Sequence, residues 1–351
     1  MIPLFKPYMP KALPELENIL HSGTLAYGIY GRKFEENLNK WIGCNNMLVT
    51  NSFNSAALVL IIALGLKSGD EIIASPMVCL ASSQPFATQG IRVRWVDIDP
   101  HTGTLCPDSV RMNITPATKA IFHNHFCGYV GYVSDLQAIA REKGLYLVDD
   151  AIEAFGSEYD GKRMGAFNSD ATLFSFQTVR LPDTIDGGGI AFNNPDLAAK
   201  ATMIRDYGID RSRFRDNLNE IAQNCDIALP GFGATPSDVN SYIGLTQMRE
   251  IDSLLSRQRA NFAKWIDYCS ENSVATIKVL DNTHPNGWIF GILAEDKENA
   301  IRSWREKGFY ASGVHLPNTF YSVFGKHPHL SGVSEFYSKF VALPCGWWVE
   351  L

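Results

Sequence analysis

The stretch Tyr146-Leu-Val-Asp-Asp-Ala-Ile-Glu-Ala-Phe-Gly156 decides the fold class of the chain. It begins as an apolar, β-prone run and ends in two adjacent carboxylates, Asp149 and Asp150. This pattern predicts a buried strand whose carboxyl end is polar. Carboxylates at a strand end are often solvated or cap the next helix. The alternative is that Asp150 reaches into a ligand site.

Similar apolar runs alternate with helical stretches from about residue 45 to residue 192. The predicted strands are 47–50, 71–74, 92–96, 119–122, 146–149 and 171–175, and the predicted helices are 57–66, 82–88 and 134–143. The alternation predicts an α/β fold with a mostly parallel sheet covered by helices on both faces. In such sheets, ligands usually bind at the carboxyl ends of the strands.

The pattern changes in the last third of the chain. Residues 196–270 are predicted to be mainly helical, with a loop at 229–236. After them, strands are predicted at 277–280, 287–294 and 310–314, around a helix at 297–307. We therefore expect a large domain at 1–250 and a small α+β domain at 251–351. The segment 1–41 precedes the large domain and is expected to cross over to the small one.

Composition limits the classes of partner. A formal net charge of -6 and a pI of about 5.8 argue against wide basic surfaces for nucleic acid or anionic lipid. The seven cysteines include no CxxC pair, which is typical of reduced thiols in a cytoplasmic protein. Residues 1–10 lack the apolar core of a signal peptide, and the longest apolar run, 56–66, is too short to span a bilayer. We expect a cytoplasmic protein without a membrane or nucleic-acid partner, and no residue cluster has metal-ligand spacing.

Two polar turns follow other predicted strands. Asn51-Ser-Phe-Asn-Ser-Ala56 precedes a predicted helix, where backbone N–H groups and the helix dipole attract an anion; the alternative is a simple helix cap. Phe174-Ser-Phe-Gln-Thr-Val-Arg-Leu-Pro-Asp-Thr-Ile-Asp-Gly-Gly-Gly-Ile190 indicates backbone close to a ligand, although a plain loop would also explain its glycines. Asp150 has the chemistry to pair with a cationic ring nitrogen, as the pyridinium of pyridoxal phosphate (PLP) requires.

Taken in order, these elements resemble the DegT/DnrJ/EryC1/StrS family of PLP-dependent sugar aminotransferases. The resemblance covers nearly the whole chain and also includes Leu64-Gly-Leu-Lys-Ser-Gly-Asp-Glu-Ile-Ile73, Trp95-Val-Asp-Ile-Asp-Pro100, Gly244-Leu245, Val314-His315 and Leu343-Pro-Cys-Gly-Trp-Trp348. It implies the fold type I arrangement, with a mostly parallel seven-stranded sheet in the large domain and a small C-terminal α+β domain. It also implies PLP or pyridoxamine phosphate (PMP) as cofactor, a nucleotide-linked keto-sugar as substrate, and a homodimer.

The resemblance assigns roles to individual residues. It gives Asn54, Ser55 and Ser175 to the cofactor's phosphate and Asp150 to its ring nitrogen. Glu153 stands where relatives usually have His or Gln near the cofactor's hydroxyl face, and Gln177 matches a position near the phosphate or the Schiff-base end. Cys79 falls where relatives commonly stack an aromatic side chain on the ring. His125 matches a family histidine near the site, and His315 matches one near the inter-domain cleft; a hydrogen-bonded structural histidine is the alternative for His125.

The departure from the family pattern is Arg180. Relatives carry a lysine five residues after the serine that aligns with Ser175, and this lysine forms the internal aldimine; here the position holds Arg180. A guanidinium stays protonated, so it neither forms a productive imine nor acts as a general base. We therefore expect non-covalent PLP or PMP and no internal aldimine. The loop 231–237, which in relatives carries polar and basic residues toward the neighbouring subunit's cofactor, has also lost them.

Three interpretations follow. The first is an enzyme that works on PMP or PLP without a lysine, like the family's dehydratase branch, with Arg180 holding phosphate or substrate while His125 or Glu153 moves protons. The second is a catalytically silent homologue or partner subunit. The third is an aminotransferase that borrows a lysine in a hetero-oligomer.

Overall fold

The computed structural model describes residues 1–351. Its helices are α1 (Leu16–Leu20), α2 (Ile29–Ile42), α3 (Phe53–Ala63), α4 (Leu80–Thr88), α5 (Pro107–Asn113), α6 (Val133–Lys143), α7 (Pro195–Arg205), α8 (Asp238–Gln247), α9 (Ile251–Glu271), α10 (Lys297–Glu306) and α11 (Ser331–Lys339). Its strands are β1 (Met47–Thr50), β2 (Glu71–Ala74), β3 (Arg92–Trp95), β4 (Thr118–Asn124), β5 (Tyr146–Ala151), β6 (Glu158–Tyr159), β7 (Lys162–Arg163), β8 (Ala171–Ser175), β9 (Gly188–Phe192), β10 (Thr283–His284), β11 (Ile289–Leu293) and β12 (Phe340–Pro344). None of the helices combines the length and the apolar character that crossing a membrane requires.

A seven-stranded sheet in the order β1-β9-β8-β5-β4-β2-β3 forms the centre of the fold. β9 runs antiparallel to both of its neighbours, and all other neighbouring strands are parallel. Strands β1, β2, β5 and β8 are short, apolar and almost wholly buried, as expected for a sheet covered on both faces. The predicted mostly parallel seven-stranded sheet is confirmed.

Helices cover both faces because successive strand residues point in opposite directions. Leu173 of β8 joins a core with α3, α4 and α7, whereas its neighbour Phe174 joins a second core with α2 and α9. α3 is apolar around most of its circumference, and it packs against the sheet as well as against α4 and α7. The site at the strand ends therefore rests on two rigid cores.

The carboxyl ends of β1, β4, β5 and β8 lie at one edge of the sheet. The register pairs Asn124 with Asp150, and it pairs Gly188 with both Thr50 and Ser175. A Cβ atom on Gly188 would lie 2.5 Å from the backbone oxygen of Ser52, so only glycine lets the turn after β1 approach this closely. That turn and Ser175 are consequently separated by backbone alone.

The C-terminal residues form a second layer around the antiparallel pair β11 and β12. α9 connects the two parts, since Leu255 packs in the sheet's core and Trp265 packs in the C-terminal core. The first residues also reach this layer: Ile2 donates its N–H to the oxygen of Gly308 at 2.7 Å, and its own oxygen accepts from Tyr310 at 2.9 Å. The division of the chain at residue 250 stays a prediction.

Three local predictions are wrong. Residues 277–280 and 310–314 are not strands; only isolated bridges form, at Thr276 and Ser312. The backbone N–H of Lys278 bonds to His101 at 2.8 Å instead of following β11, and Val314 has a positive φ of 57°, which ends extended backbone.

The third error is the helical prediction between α7 and α8, where residues 206–237 form turns and isolated bridges over more than the predicted loop. Asp216 there accepts from the N–H groups of Leu218 and Glu220, both at 2.9 Å. Such side-chain bonds compete with helix formation.

Candidate functional site

The turn after β1 and the end of β8 form a polar edge. Ser52 caps α3: its Oγ accepts from the N–H of Ser55 at 3.1 Å and lies 3.0 Å from the Oγ of Ser55. Asn54 is exposed in the first turn of this 11-residue helix, and Ser175 is buried at the end of β8. Hydroxyls beside a helix N-terminus suit an oxyanion. The assignment of phosphate ligands to Asn54, Ser55 and Ser175 stays a prediction.

Asp150 is a buried carboxylate without a cationic partner. Its Oδ2 accepts from the Nδ2 of Asn124 at 2.8 Å, and its Oδ1 accepts from the N–H of Ile152 at 3.2 Å. Burial raises the pKa of Asp150 to about 6. A carboxylate held in this way is stabilised by a cation that arrives with a ligand, because the charge then no longer stands alone in a low dielectric.

Arg180 lies in the loop between β8 and β9 and is buried. Its guanidinium carbon is 4.3 Å from the ring centroid of Trp288, and its Nη2 is 3.6 Å from the Oε1 of Glu153. The Nε and Nη1 atoms of Arg180 are buried without a hydrogen-bond partner. Trp288 also donates its Nε1–H to the oxygen of Val179 at 3.0 Å, which fixes the loop beside the arginine.

Glu153 links Arg180 to two further groups. Its Oε1 is 2.7 Å from the Nε2 of His315, and its Oε2 accepts from the N–H of Cys127 at 2.9 Å. Burial acts to raise the pKa of Glu153, but His315 and Arg180 outweigh it and hold that pKa below its ordinary value. Glu153 is therefore ionised at neutral pH.

Cys79 and Gln177 contribute less than the other predicted residues. Cys79 is the half-buried N-cap of α4, and burial, together with the charges of Glu153 and Asp150, raises the pKa of its thiol to about 11. The thiol stays protonated, so it is a poor nucleophile. The side chain of Gln177 is exposed, and its backbone N–H is 3.4 Å from the Oγ of Ser175. Both assignments stay predictions.

His125 is buried, and both of its ring nitrogens are engaged. Its Nδ1 accepts from the N–H of Gly131 at 3.2 Å, so its Nε2 carries the proton and donates to Asp149 at 3.1 Å. His123 donates its Nδ1–H to the same oxygen of Asp149 at 3.2 Å, and Ser169 donates its hydroxyl to the other. The contacts favour the structural alternative for His125, as part of a network behind the site, over a proton carrier.

The same three residues, His123, His125 and Asp149, place potential metal-ligand atoms within 4.8 Å of one another. The contact from Gly131 decides between a metal and a hydrogen-bond network. A ring nitrogen that carries a proton cannot bind a metal, and Gly131 keeps that proton on the Nε2 of His125. The cluster is therefore a hydrogen-bond network around one buried carboxylate.

Sequence reasoning missed Trp288 and Asn286. Asn286 donates its Nδ2 hydrogens to the backbone oxygens of Glu153 and Phe155, at 2.8 and 3.0 Å. These bonds anchor the turn that carries Glu153. Neither residue lies in a motif, and both come from the C-terminal layer. Only the fold brings them to the strand ends.

Free space is unevenly distributed. The cavity that Arg180, Ser175 and Glu153 line has a volume of about 10 Å³, room for a single water-sized atom. A much larger cavity of about 900 Å³ lies beside α2 and α7, lined by Tyr27 and Arg205 among others, and none of the strand-end site residues contributes to it. The site around Arg180 is thus tightly packed.

The network around Asp149 predicts a loss of stability in acid. Burial lowers the pKa of His123 to about 4, whereas an unfolded histidine has a pKa of about 6.5. Below pH 6.5 the unfolded chain binds a proton that the folded chain refuses. The free energy of unfolding should therefore fall as the pH is lowered from 6.5 to 4, by up to about 3 kcal/mol from His123.

Urea unfolding at a series of pH values measures this fall. The variant His123→Gln should show a smaller dependence of the free energy of unfolding on pH. An unchanged slope in the variant would contradict the assignment.

The sequence is similar to that of known proteins over most of its length. A model of the DegT/DnrJ/EryC1/StrS aminotransferase family matches residues 9–347. Uncharacterized protein MJ1066 of Methanocaldococcus jannaschii is 29% identical over 264 residues, which are 75% of this chain and 68% of that protein.

Solved structures agree in fold. Sugar aminotransferase CalS13 from Micromonospora echinospora is 25% identical, with a TM-score of 0.92 over 100% of this chain and 96% of its own. Putative sugar aminotransferase Spr1654 from Streptococcus pneumoniae, in its PMP-form, has a TM-score of 0.90 at 20% identity, over 100% of this chain and 95% of its own. The predicted fold type I architecture is confirmed.

Proposed function

Because this chain belongs to the DegT/DnrJ/EryC1/StrS aminotransferase family, we propose that it binds PLP or PMP without a covalent bond and acts on, or binds, a nucleotide-linked keto-sugar. The observation that carries the proposal is Arg180, which is buried five residues after Ser175, where the family resemblance expects a lysine. Spr1654, which shares the fold, has been solved with PMP, and this supports the choice of cofactor.

The residues present fit such a cofactor. Asp150, a carboxylate without a cation, would accept a hydrogen bond from the ring nitrogen, and the start of α3 with Ser55 and Ser175 would hold the phosphate. Because Gly188 has no side chain, the turn after β1 can lie close to the end of β8. When bound, the cofactor supplies a ring that withdraws electrons from the reacting carbon.

The chain's own proton chemistry differs from that of an aminotransferase. An arginine guanidinium such as that of Arg180 orients charge without moving protons. His315 and Glu153, whose Nε2 and Oε1 are 2.7 Å apart, are the pair able to hold or release one. We propose this pair, rather than His125, as the proton carrier. The function is then closer to lysine-independent chemistry, such as removal of a sugar hydroxyl, than to transamination.

A catalytically silent homologue or partner subunit is the second candidate, and the packing around Arg180 favours it, since only about 10 Å³ is free there. The two candidates differ in whether the PMP methylene protons exchange for deuterium when a nucleotide-linked keto-sugar is present. Exchange by the wild-type protein, lost in His315→Gln, supports the enzyme. Binding of PMP without exchange supports the silent homologue.

We also propose a cytoplasmic homodimer. Exposed apolar side chains in the irregular segment 206–237, such as Tyr207, Leu218 and Ile221, support a contact with a second copy. A monomeric mass in light scattering at micromolar concentration would count against it.

The phosphate site can be tested without knowing the sugar. Hydrogen bonds to a charged group contribute about 1.5–3 kcal/mol each, so replacing both Ser55 and Ser175 by Ala should weaken PMP binding at least about tenfold. Isothermal titration of PMP measures the change. Pyridoxamine, which has no phosphate, is the matched control and should bind both proteins equally. Equal PMP affinity in the variant would remove the proposed phosphate site.

A further inference from the structure

Glu153 leaves the charge of Arg180 unsatisfied. Its two oxygens already bond to His315 at 2.7 Å and to the N–H of Cys127 at 2.9 Å, while the Nη2 of Arg180 stays 3.6 Å away. That distance is an ion pair without a hydrogen bond. Arg180 also buries its Nε and Nη1 without a partner. Buried charged donors without an acceptor are unfavourable, so this arrangement favours an acceptor that arrives from outside.

The neighbouring side chains do not supply that acceptor. The Oδ1 of Asn286 accepts from the N–H of Trp288 at 2.9 Å, and its Nδ2 is bonded to backbone oxygens. Gln258, which lines the same cavity, donates to the oxygen of Asn286 at 3.0 Å. These contacts fix both amides, so neither is free to turn toward Arg180.

Arg180 is also held in place before any ligand binds. Trp288 stacks beneath its guanidinium at 4.3 Å, and Phe5 stacks with Trp288 at 4.5 Å between ring centroids and an angle of 18°. A guanidinium stacked on an indole loses little further freedom when it binds an acceptor.

We infer that Arg180 is the receptor for one oxygen of an anionic group, a carboxylate or a phosphate, carried by the ligand of this site. The cavity of about 10 Å³ beside Arg180 and Ser175 has room for about one oxygen atom. The inference rests on the proposed function for the location of the ligand, and it adds the ligand's charge class. The oxygen comes either from the cofactor's phosphate or from a charged group on the second substrate.

The test uses the intact protein and isothermal titration with PMP, pyridoxamine, inorganic phosphate and acetate. Arg180→Met should weaken oxyanion binding by about tenfold to a hundredfold. If PMP binding weakens and pyridoxamine binding does not, the oxygen belongs to the cofactor. If PMP binding is unchanged but the PMP-loaded variant loses affinity for phosphate or acetate, the oxygen belongs to the second ligand. Either result supports the inference.

Arg163→Met is the matched control, because Arg163 also stacks on a tryptophan, Trp41 at 3.9 Å, but outside the site. It should bind all four probes like the wild-type protein. Should Arg180→Met fail to fold, Arg180→Gln serves in its place, since it removes the charge and leaves a polar side chain in the loop. Equal affinities of wild type and folded Arg180 variant for all four probes overturn the inference. If the wild-type protein binds phosphate or acetate through Arg180 but binds no PMP, the proposed function fails while the inference stands.

Discussion

Arg180→Lys is expected to give the protein a covalent bond to PLP that the wild-type protein lacks. A lysine amine can lose its proton and condense with the aldehyde of PLP, whereas a guanidinium does not. The rest of the proposed site, Asp150 with Ser55 and Ser175, is unaltered by the substitution. Bound PLP in the wild-type protein should therefore be removed by dialysis, and in the variant it should remain. Transamination need not return, because the loop 231–237 and Cys79 still differ from the family pattern.

Mass spectrometry after borohydride reduction measures this difference. We expect a phosphopyridoxyl group on residue 180 of the variant and none on the wild-type chain. Arg163→Lys, which adds a lysine elsewhere, is the control and should acquire no specific adduct. An adduct on one particular lysine of the wild-type protein would sink the proposal of non-covalent binding, and it would revive an aminotransferase that uses another lysine.

Asp149→Ala is expected to destabilise the fold strongly. Asp149 is fully buried, and it accepts from two imidazoles and from the hydroxyl of Ser169. Its removal leaves three buried donors without an acceptor as well as a cavity. Breaking a buried charged network of this kind costs about 3–5 kcal/mol, a large part of the about 5–15 kcal/mol by which domains are stable.

Urea unfolding followed by circular dichroism measures the loss. Asp149→Asn retains the volume and one acceptor, so it should lose less stability than Asp149→Ala. Asp135→Ala, an exposed carboxylate in the first turn of α6, is the surface control and should behave almost like the wild type. A loss in Asp149→Ala no greater than that of the surface control would show that the network contributes nothing.

The sequence predicts the strand ends well because their signals are local. Short apolar runs ending in Thr50, Asp150 and Ser175 are visible in the chain, and parallel strands bring their carboxyl ends to one edge without further information. The position of Arg180 follows from its offset to Ser175. These parts of the site can therefore be predicted from the order of strands and helices alone.

The rest depends on contacts between distant segments. The sequence around Trp288 contains no signal that its ring stacks on Arg180. The sequence around His125 likewise does not indicate that Gly131 and Asp149 bond to its two ring nitrogens. Residues 206–228 are not helical although the sequence predicts a helix there, because local polar side chains such as Asp216 bond to backbone N–H groups. Side-chain competition of this kind is decided by three-dimensional geometry.

The column of Phe5, Trp288 and Arg180 has a consequence for biosynthesis. Ribosomes release the chain from its N-terminus, so Phe5 emerges first, Arg180 about midway, and Trp288 only in the last fifth of the 351 residues. The last strand of the sheet ends at Phe192, so all strands of the sheet are synthesised well before Trp288. During translation the nascent protein therefore holds a nearly complete scaffold whose arginine loop still lacks its indole support. The indole that supports the arginine loop therefore comes from one of the last parts of the chain to be synthesised.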